Sequence, residues 1–162
     1  MAKPVPLLLL DIDGTVRQGK DDALGKFVNE PKDVVVFPEA VRQMRAWSGR
    51  ILGVSNQGGV ALGHLTIDAA LSAMSETQRQ CGDLFDDIRI CVHAPGAGCW
   101  CRKPMPNLAL HSIGVMELRH HEIYRRFTTM MVGDRPEDQQ MAANMGVDFM
   151  WAAEWRAQAP DA

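Results

Sequence analysis

Five short apolar segments recur along the chain, and they restrict its possible folds more than any other feature of the sequence. They cover residues 5–10, 50–54, 88–90, 129–132 and 147–151. The first segment ends at acidic residues and Gly14, which is typical of a strand buried on both faces of a parallel sheet. Five strands of this kind are enough for one central sheet.

Helical patterns lie between the apolar segments. One follows Pro38, a second follows Thr66 as a candidate N-cap, and a third follows Pro136 in a first turn. Their apolar faces hold, in this order, Ala40, Met44 and Trp47; Ile67, Ala70, Leu71 and Met74; and Met141, Ala142 and Met145. Strands that alternate with helices predict an α/β fold with a doubly wound parallel sheet. Residues 14–34 are interpreted as one polar loop, too short for a cap domain, so we expect residues 1–162 to form a single domain.

The composition is that of an ordinary globular chain, with 162 residues, 46% of them hydrophobic, and a net charge of −3. This charge gives no general attraction to nucleic acid or anionic membranes, so anion recognition would need a local cluster of donors. The N-terminal apolar run stops at Asp11 and Asp13 and lacks a cleavage site, which argues against a signal peptide or a membrane span. We therefore expect a cytoplasmic protein with reduced thiols, and Cys81 is expected to be a buried, inert residue.

Polar motifs follow four of the five apolar segments. They read DIDGT at 11–15, SNQGG at 55–59, CVHAPGAGCWCRKP at 91–104 and GDRPED at 133–138. Because ligands of doubly wound sheets bind outside the carboxyl ends of the strands, we expect these motifs to meet at one site. Together they supply carboxylates, a hydroxyl, amides and a basic pair.

The acidic motifs suggest metal-assisted attack on phosphorus. Asp11 and Asp13 are two residues apart at a strand end, and Asp134 would add a third carboxylate as a ligand for Mg²⁺. One carboxylate could form an aspartyl phosphate while the other passes the proton. The alternative for an isolated Asp-x-Asp pair is a set of turn-forming acidic caps.

The remaining motifs could hold a phosphoryl group and its ester. Ser55, Asn56, Gln57 and Gly58 offer a hydroxyl, amides and exposed backbone N–H groups. Lys103 would neutralise developing charge, and Arg102 can make bidentate contact with an oxyanion. Taken singly, these segments could also be an ordinary loop and a solvated basic pair.

Three of the four cysteines lie close together with a histidine. Cys91, His93, Cys99 and Cys101 fall within eleven residues, just before the basic pair. A zinc site, a disulfide loop and a chance cluster are all compatible with this pattern. A reducing compartment favours the metal.

In their order and spacing, the four motifs resemble the haloacid dehalogenase superfamily of aspartate-nucleophile phosphatases. The cysteine-rich segment resembles its capless subfamily, which contains histidinol-phosphate and heptose-bisphosphate phosphatases. The resemblance implies that Asp11 is the nucleophile and that Asp13 is the general acid/base, with a backbone carbonyl on Mg²⁺. It further implies the following roles: Ser55 and Lys103 hold the phosphoryl group, Arg102 and Arg135 approach the substrate, Asp134 ligates Mg²⁺, and Asp138 supports the metal ligands.

The resemblance also implies a structural zinc ion on Cys91, His93, Cys99 and Cys101, whose closed tetrahedral set would fix Arg102 and Lys103. Two departures bear on the substrate. His93 and Cys99 are separated by five residues, as in the histidinol-phosphate type, and Leu62 replaces an arginine that the heptose enzymes carry. The family therefore predicts a small phosphorylated metabolite, a sugar phosphate or histidinol-phosphate type, without deciding between them.

Two other functions stay open at this stage. A nucleic-acid 3′-end phosphatase shares the DxDGT core, and the basic stretch at 117–127 could bind nucleic acid or form a solvated helix face. A zinc-stabilised binding module without catalysis is the other. For the favoured function we expect a small-molecule phosphate ester as partner, no membrane association, and a monomer or small homo-oligomer.

Overall fold

The computed structural model describes residues 2–19 and 28–162. In chain order the elements are β1 (Leu7–Leu10), β2 (Arg17–Gly19), β3 (Val34–Val36), α1 (Pro38–Ala46), β4 (Arg50–Asn56), α2 (Ile67–Gln80), β5 (Asp87–Cys91), α3 (Asn107–His120), β6 (Thr129–Gly133), α4 (Pro136–Met145), β7 (Asp148–Trp151) and α5 (Ala152–Ala157). Five strands form one parallel sheet in the order β5-β4-β1-β6-β7. The predicted α/β fold with a parallel sheet flanked by helices is confirmed.

The central strand β1 explains why the sheet is covered on both faces. Its four leucines are fully buried. Leu8 and Leu10 contribute to a core with residues of α1 and α5, whereas Leu7 and Leu9 contribute to a second core with residues of α3 and α4. Because successive side chains of a strand point to opposite faces, the LLLL run supplies both cores at once.

Several element boundaries differ from the sequence expectation. β4 runs to Asn56, so Ser55 and Asn56 end the strand instead of following it. The interpretation of residues 14–34 as one polar loop was wrong, since β2 and β3 pair there as an antiparallel hairpin; residues 20–27 lie outside the described part. Helix α5 was not predicted, and α3 was expected only at its last residues, as part of the basic stretch at 117–127. The Thr66 N-cap is confirmed, because its hydroxyl accepts a hydrogen bond from the Ala69 amide at 3.0 Å.

The sheet brings the carboxyl ends of β1, β4, β5 and β6 together, as its register requires. Leu10 pairs with both Gly53 and Val132, and Asn56 pairs with Cys91. The four polar motifs therefore start at the same edge of the sheet. Over the described ranges, no helix has the length and apolar character needed to cross a bilayer.

Candidate active site

Asp11 lies at the floor of a cavity, immediately after β1 and between β4 and β6. Its carboxylate accepts a hydrogen bond from the Lys103 ammonium at 2.5 Å and one from the Thr15 hydroxyl at 3.2 Å. The same ammonium donates to Asp138 at 2.7 Å and to the Val54 carbonyl at 3.0 Å. Lys103 is thus held on three sides and is 4% exposed, so its charge is fixed beside the candidate nucleophile.

The electrostatics of this floor favour a cation. Burial, assisted by the charge of Asp138, raises the pKa of Asp11 to about 8, although Lys103 opposes the change. Burial alone would lower the pKa of Lys103, but Asp11 and Asp138 together raise it. The carboxylates therefore carry more negative charge than one ammonium offsets, and an added cation would favour ionised Asp11.

Asp134 is exposed beside the floor and is not among the residues that line the cavity. Single oxygen atoms of Asp11, Asp134 and Asp138 lie within 4.8 Å of one another. Asp138 is already engaged, because its other oxygen accepts the backbone N–H groups of Asp134 and Arg135 at 3.1 Å each. Hard oxygen donors at this spacing suit Mg²⁺, so the residues present fit the metal that the sequence suggests.

Asp13 lies beside Asp11 and is held from two sides. Its carboxylate accepts a hydrogen bond from the Gln57 amide at 2.6 Å and one from Arg17 Nε at 2.8 Å. The Gln57 amide also donates to the Ser55 hydroxyl at 2.8 Å. This network joins the ends of β1 and β4 and fixes the orientation of Asp13 toward the cavity.

The other residues of the SNQGG motif have different tasks from one another. Among the described residues, the Ser55 hydroxyl donates to no group, so its proton is available to a ligand. The Asn56 side chain instead exchanges two hydrogen bonds with the backbone of Lys103, at 3.0 and 3.3 Å. A side chain at Gly58 would meet Arg102 Nη1 at 2.9 Å, so this glycine makes room for the arginine. Of these residues, Ser55 is the one whose side chain is best placed for a phosphoryl oxygen.

The cavity above the floor has a volume of about 270 Å³. Arg102 and Arg135 lie on its wall, and Arg102 donates to the His93 carbonyl at 3.0 Å. The lining includes every predicted catalytic and substrate-binding residue: Asp11, Asp13, Ser55, Asn56, Gln57, Gly58, Arg102, Lys103 and Arg135. It also includes residues that no sequence pattern indicated, among them Val28, Asn29, His64 and Leu65, and Glu137 of the GDRPED motif.

The cysteine-rich segment forms a compact cluster next to the cavity. The four ligand atoms of Cys91, His93, Cys99 and Cys101 lie within 4.8 Å of one another. The Cys91 sulfur lies 3.7 Å from that of Cys99 and 3.2 Å from that of Cys101, and two thiolates on one tetrahedral zinc ion would be about 3.8 Å apart. The cysteines are free, and a disulfide would need a sulfur separation of about 2.05 Å. The donor set and its spacing fit zinc.

Comparison with known proteins places this site in a family. No protein-family model matches the sequence. The chain is 30% identical over 151 residues to the D-glycero-beta-D-manno-heptose-1,7-bisphosphate 7-phosphatase of Bordetella bronchiseptica, covering 86% of this chain and 76% of that protein. It is 31% identical over 144 residues to the D-glycero-alpha-D-manno-heptose-1,7-bisphosphate 7-phosphatase of Mycobacterium bovis, covering 85% and 72%. The chain belongs to the haloacid dehalogenase superfamily of phosphatases.

Solved structures agree with this assignment. The D,D-heptose 1,7-bisphosphate phosphatase of B. bronchiseptica, determined with magnesium and phosphate, has a TM-score of 0.72 at 25% identity, over 96% of this chain and 89% of that one. A HAD-like phosphatase from Mesorhizobium loti shares the fold, with a TM-score of 0.69 at 23% identity over 91% and 72%. The predicted superfamily and the predicted phosphatase activity on a small phosphorylated metabolite are confirmed. The chain is also 30% identical to the bifunctional histidine biosynthesis protein HisB of Campylobacter jejuni subsp. doylei, covering 87% of this chain and 40% of that protein.

The basic stretch at 117–127 lies far along the sheet from the phosphatase site. Ile123 pairs with Pro4 and accepts a hydrogen bond from the Val5 amide at 2.9 Å, so this segment borders the amino end of β1. The site lies at the carboxyl end. The helical interpretation of the stretch holds only as far as His120, because α3 ends there and His121 has a left-handed conformation.

Two arginines that contact the DIDGT motif were not predicted from the sequence. Arg17 is buried beneath Asp13, and Arg156 of α5 donates to the carbonyls of Gly14 and Thr15 at 2.9 Å each. Arg156 also lies 4.0 Å above the ring of Phe37. Neither residue stands in a motif, and their contacts depend on how the hairpin and α5 fold back onto the DIDGT turn.

Proposed function

We propose that this phosphatase hydrolyses a sugar phosphate monoester through an aspartyl phosphate on Asp11. The arrangement of Asp11, Lys103 and Asp138 at the cavity floor, with Asp13 beside them, carries the proposal. It offers a nucleophile, a fixed positive charge and a second carboxylate within one cavity. The relatives named above act on heptose bisphosphates, which supports a phosphorylated sugar as substrate.

Each residue has a part in the reaction. An oxygen of Asp11 attacks phosphorus while Asp13 donates a proton to the departing alcohol, and the P–O bond to that alcohol breaks. Asp13 then accepts a proton from the water that cleaves the aspartyl phosphate. The Ser55 hydroxyl and the Lys103 ammonium bind phosphoryl oxygens, and Arg102 and Arg135 contact the rest of the substrate.

Asp11 and Asp134 would hold Mg²⁺, together with the backbone carbonyl of Asp13 and with Asp138 in support. When bound, the metal neutralises phosphoryl charge and favours ionised Asp11. A related structure contains magnesium and phosphate. Zn²⁺ would occupy the Cys91, His93, Cys99 and Cys101 cluster without an open position and would serve structure alone. Reduced cysteines of this kind suit a cytoplasmic protein.

The cavity also bears on the substrate. Leu62 and Leu65 line it together with Arg102 and Arg135, so the part of the substrate away from the floor would meet both apolar surface and guanidinium groups.

A substrate screen tests the proposal. The purified protein with Mg²⁺ should be assayed on sugar monophosphates, heptose 1,7-bisphosphate, histidinol phosphate, nucleotides and 3′-phosphorylated oligonucleotides. We expect the highest kcat/KM for a sugar phosphate. A clear preference for histidinol phosphate would contradict the sugar phosphate as substrate. A preference for the oligonucleotide would favour the nucleic-acid 3′-end phosphatase instead.

A further inference from the structure

Arg17 is a fully buried arginine that touches the candidate general acid. Its Nε donates to Asp13 Oδ1 at 2.8 Å, and a second nitrogen lies 3.4 Å from Asp13 Oδ2. The remaining nitrogen donates to the Ala73 carbonyl at 3.1 Å and to the Thr77 hydroxyl at 2.9 Å, both on α2. The side chain has 0% exposure, so it reaches neither solvent nor the cavity.

We propose that Arg17 is a positioning residue for Asp13, which anchors the general acid/base to helix α2. The inference rests on the proposed function. A guanidinium binds a carboxylate through two parallel N–H donors, and this geometry restricts the rotation of the carboxylate more than a single hydrogen bond does. With Gln57 on its cavity side, Asp13 is left with one orientation, directed to the place where the leaving alcohol would depart.

The energetics indicate a functional reason for this arginine. A buried charge is costly unless it is paired and hydrogen-bonded, and a well-packed apolar residue often stabilises such a position better. Arg17 is fully buried, so its pairing with Asp13 has to offset the cost of removing the guanidinium from water. Among the described residues, the hydrogen bonds of its side chain go to Asp13 and to two acceptors on α2 that fix it in place.

The position of Arg17 also suits the charge change at Asp13. When the acid gives its proton to the leaving oxygen, a carboxylate forms in a partly buried place, and the guanidinium lies within hydrogen-bond distance of it. Proton transfer of this kind contributes about 10²–10⁴-fold to rate, and loss of alignment forfeits part of it. The contribution depends on the leaving group, since an alkoxide needs the proton and a nitrophenolate does not.

This dependence gives the test. Arg17→Gln, Arg17→Lys and Thr77→Val should be compared with the unchanged protein, with Mg²⁺, on an alkyl phosphate and on p-nitrophenyl phosphate. The quantity measured is kcat/KM, because it covers the steps up to formation of the aspartyl phosphate. For Arg17→Gln we expect a fall of about 10²-fold on the alkyl ester and less than about 10-fold on the nitrophenyl ester. Arg17→Lys keeps the positive charge but lacks the two parallel donors of the guanidinium. Its kcat/KM on the alkyl ester should therefore fall less than that of Arg17→Gln.

Arg79→Gln, the same change at an exposed position on α2, serves as the control and should leave kcat/KM unchanged on both esters. Asp13→Asn is unsuitable as a probe because it would leave the Arg17 guanidinium buried without its carboxylate. Equal losses on both esters in folded Arg17→Gln, or no loss on the alkyl ester, would overturn the positioning role.

If thermal unfolding shows that Arg17→Gln does not fold, Thr77→Val decides. It removes one anchor of the guanidinium and should lower kcat/KM several-fold on the alkyl ester alone. An unchanged ratio between the two esters would then overturn the inference. Failure of the unchanged protein to hydrolyse either ester would instead count against the proposed function, so the two results are separable.

Discussion

The carboxylate of Asp134 occupies the space that a side chain at Gly14 would need. A Cβ built on Gly14 would lie 2.0 Å from Asp134 Oδ2, and Gly14 has a positive φ of 83°. The turn after β1 and the loop after β6 can therefore approach each other closely only because residue 14 has no side chain. This close approach brings Asp134 to within reach of Asp11 as a candidate metal ligand.

Gly14→Ala should therefore abolish activity beyond its cost to stability. The methyl group would displace Asp134 and misplace a candidate metal ligand, and a shift of about 1 Å can cost on the order of 10²-fold in rate. Gly82→Ala is the matched control, since its φ of 68° is similar and the nearest atom lies at 3.8 Å. Both changes should cost about 1–2 kcal/mol for the left-handed conformation. Equal kcat/KM for the two folded variants would contradict the role of the close approach.

Asp11→Asn should remove Mg²⁺-dependent turnover. The amide keeps the shape of the carboxylate, but it is a poor nucleophile and a poorer ligand for a hard cation. Steady-state assays on the preferred ester measure the effect, with Asp83→Asn as a control at an exposed site. Activity of the Asp11 variant within tenfold of the parent would remove this residue from the nucleophile role.

The stability of the magnesium-free protein should fall as the pH rises from about 4 to 8. The pKa of Asp11 is raised to about 8 in the folded state from an ordinary value of 3.8, mainly by burial. The folded state therefore binds more protons than the unfolded state in this window, and the stabilisation present at low pH is lost as Asp11 ionises. The effect is on the order of a few kcal/mol at most.

Urea unfolding at pH 5 and pH 8, in magnesium-free buffer with zinc retained, measures this slope. Asp11→Asn should flatten it and should be more stable than the parent at pH 8. Added Mg²⁺ should stabilise the parent more at pH 8 than at pH 5, because protons compete with the cation. A parent and a variant with the same pH dependence would refute the assignment of the slope to Asp11.

The sequence predicted the parts of this protein that depend on local pattern. The buried LLLL strand, the Thr66 cap and the four motifs at strand ends all carry their signal within a few residues. The β2–β3 hairpin was missed because its strands have three residues each and lack a clear alternation. Arg17 and Arg156 were missed for another reason: apart from Asp13, which is four residues from Arg17, their side-chain partners are at least 56 positions away in the chain, as for Thr77 and Gly14. No spacing rule connects residues so far apart.

Neutralising Arg125 and Arg126 together should leave phosphatase activity within about twofold of the parent. Both residues are exposed and lie before the amino end of β6, whereas the site is at the carboxyl ends of the strands. A nucleic-acid end-processor would also lose affinity steeply with salt as counterions are released, and a small-ester phosphatase would not. The double Gln variant, assayed at low and high salt, checks both points. Abolished cleavage in a folded variant would favour the nucleic-acid function.

The purified protein should contain about one tightly bound zinc ion per chain, which cannot replace Mg²⁺ in turnover. Elemental analysis of protein never exposed to chelator measures the content. The ligand cluster ends at Cys101, and the next two residues are Arg102 on the cavity wall and Lys103 at its floor. Zinc would therefore set the position of both basic residues through one or two peptide bonds.

Cys99→Ser should weaken zinc binding and lower kcat/KM by on the order of 10²-fold, because Arg102 and Lys103 would lose their fixed positions. The sheet should still fold: Cys99 and Cys101 pack at the core of Leu7 and Leu9, whereas Leu8 and Leu10 are buried on the other face with residues of α1 and α5. Cys81→Ala is the matched control: Cys81 is fully buried away from the cluster, so its loss should alter stability and leave zinc content and kcat/KM unchanged. A Cys99→Ser protein that loses zinc yet keeps full activity and thermal stability would show that the metal does not position the basic pair.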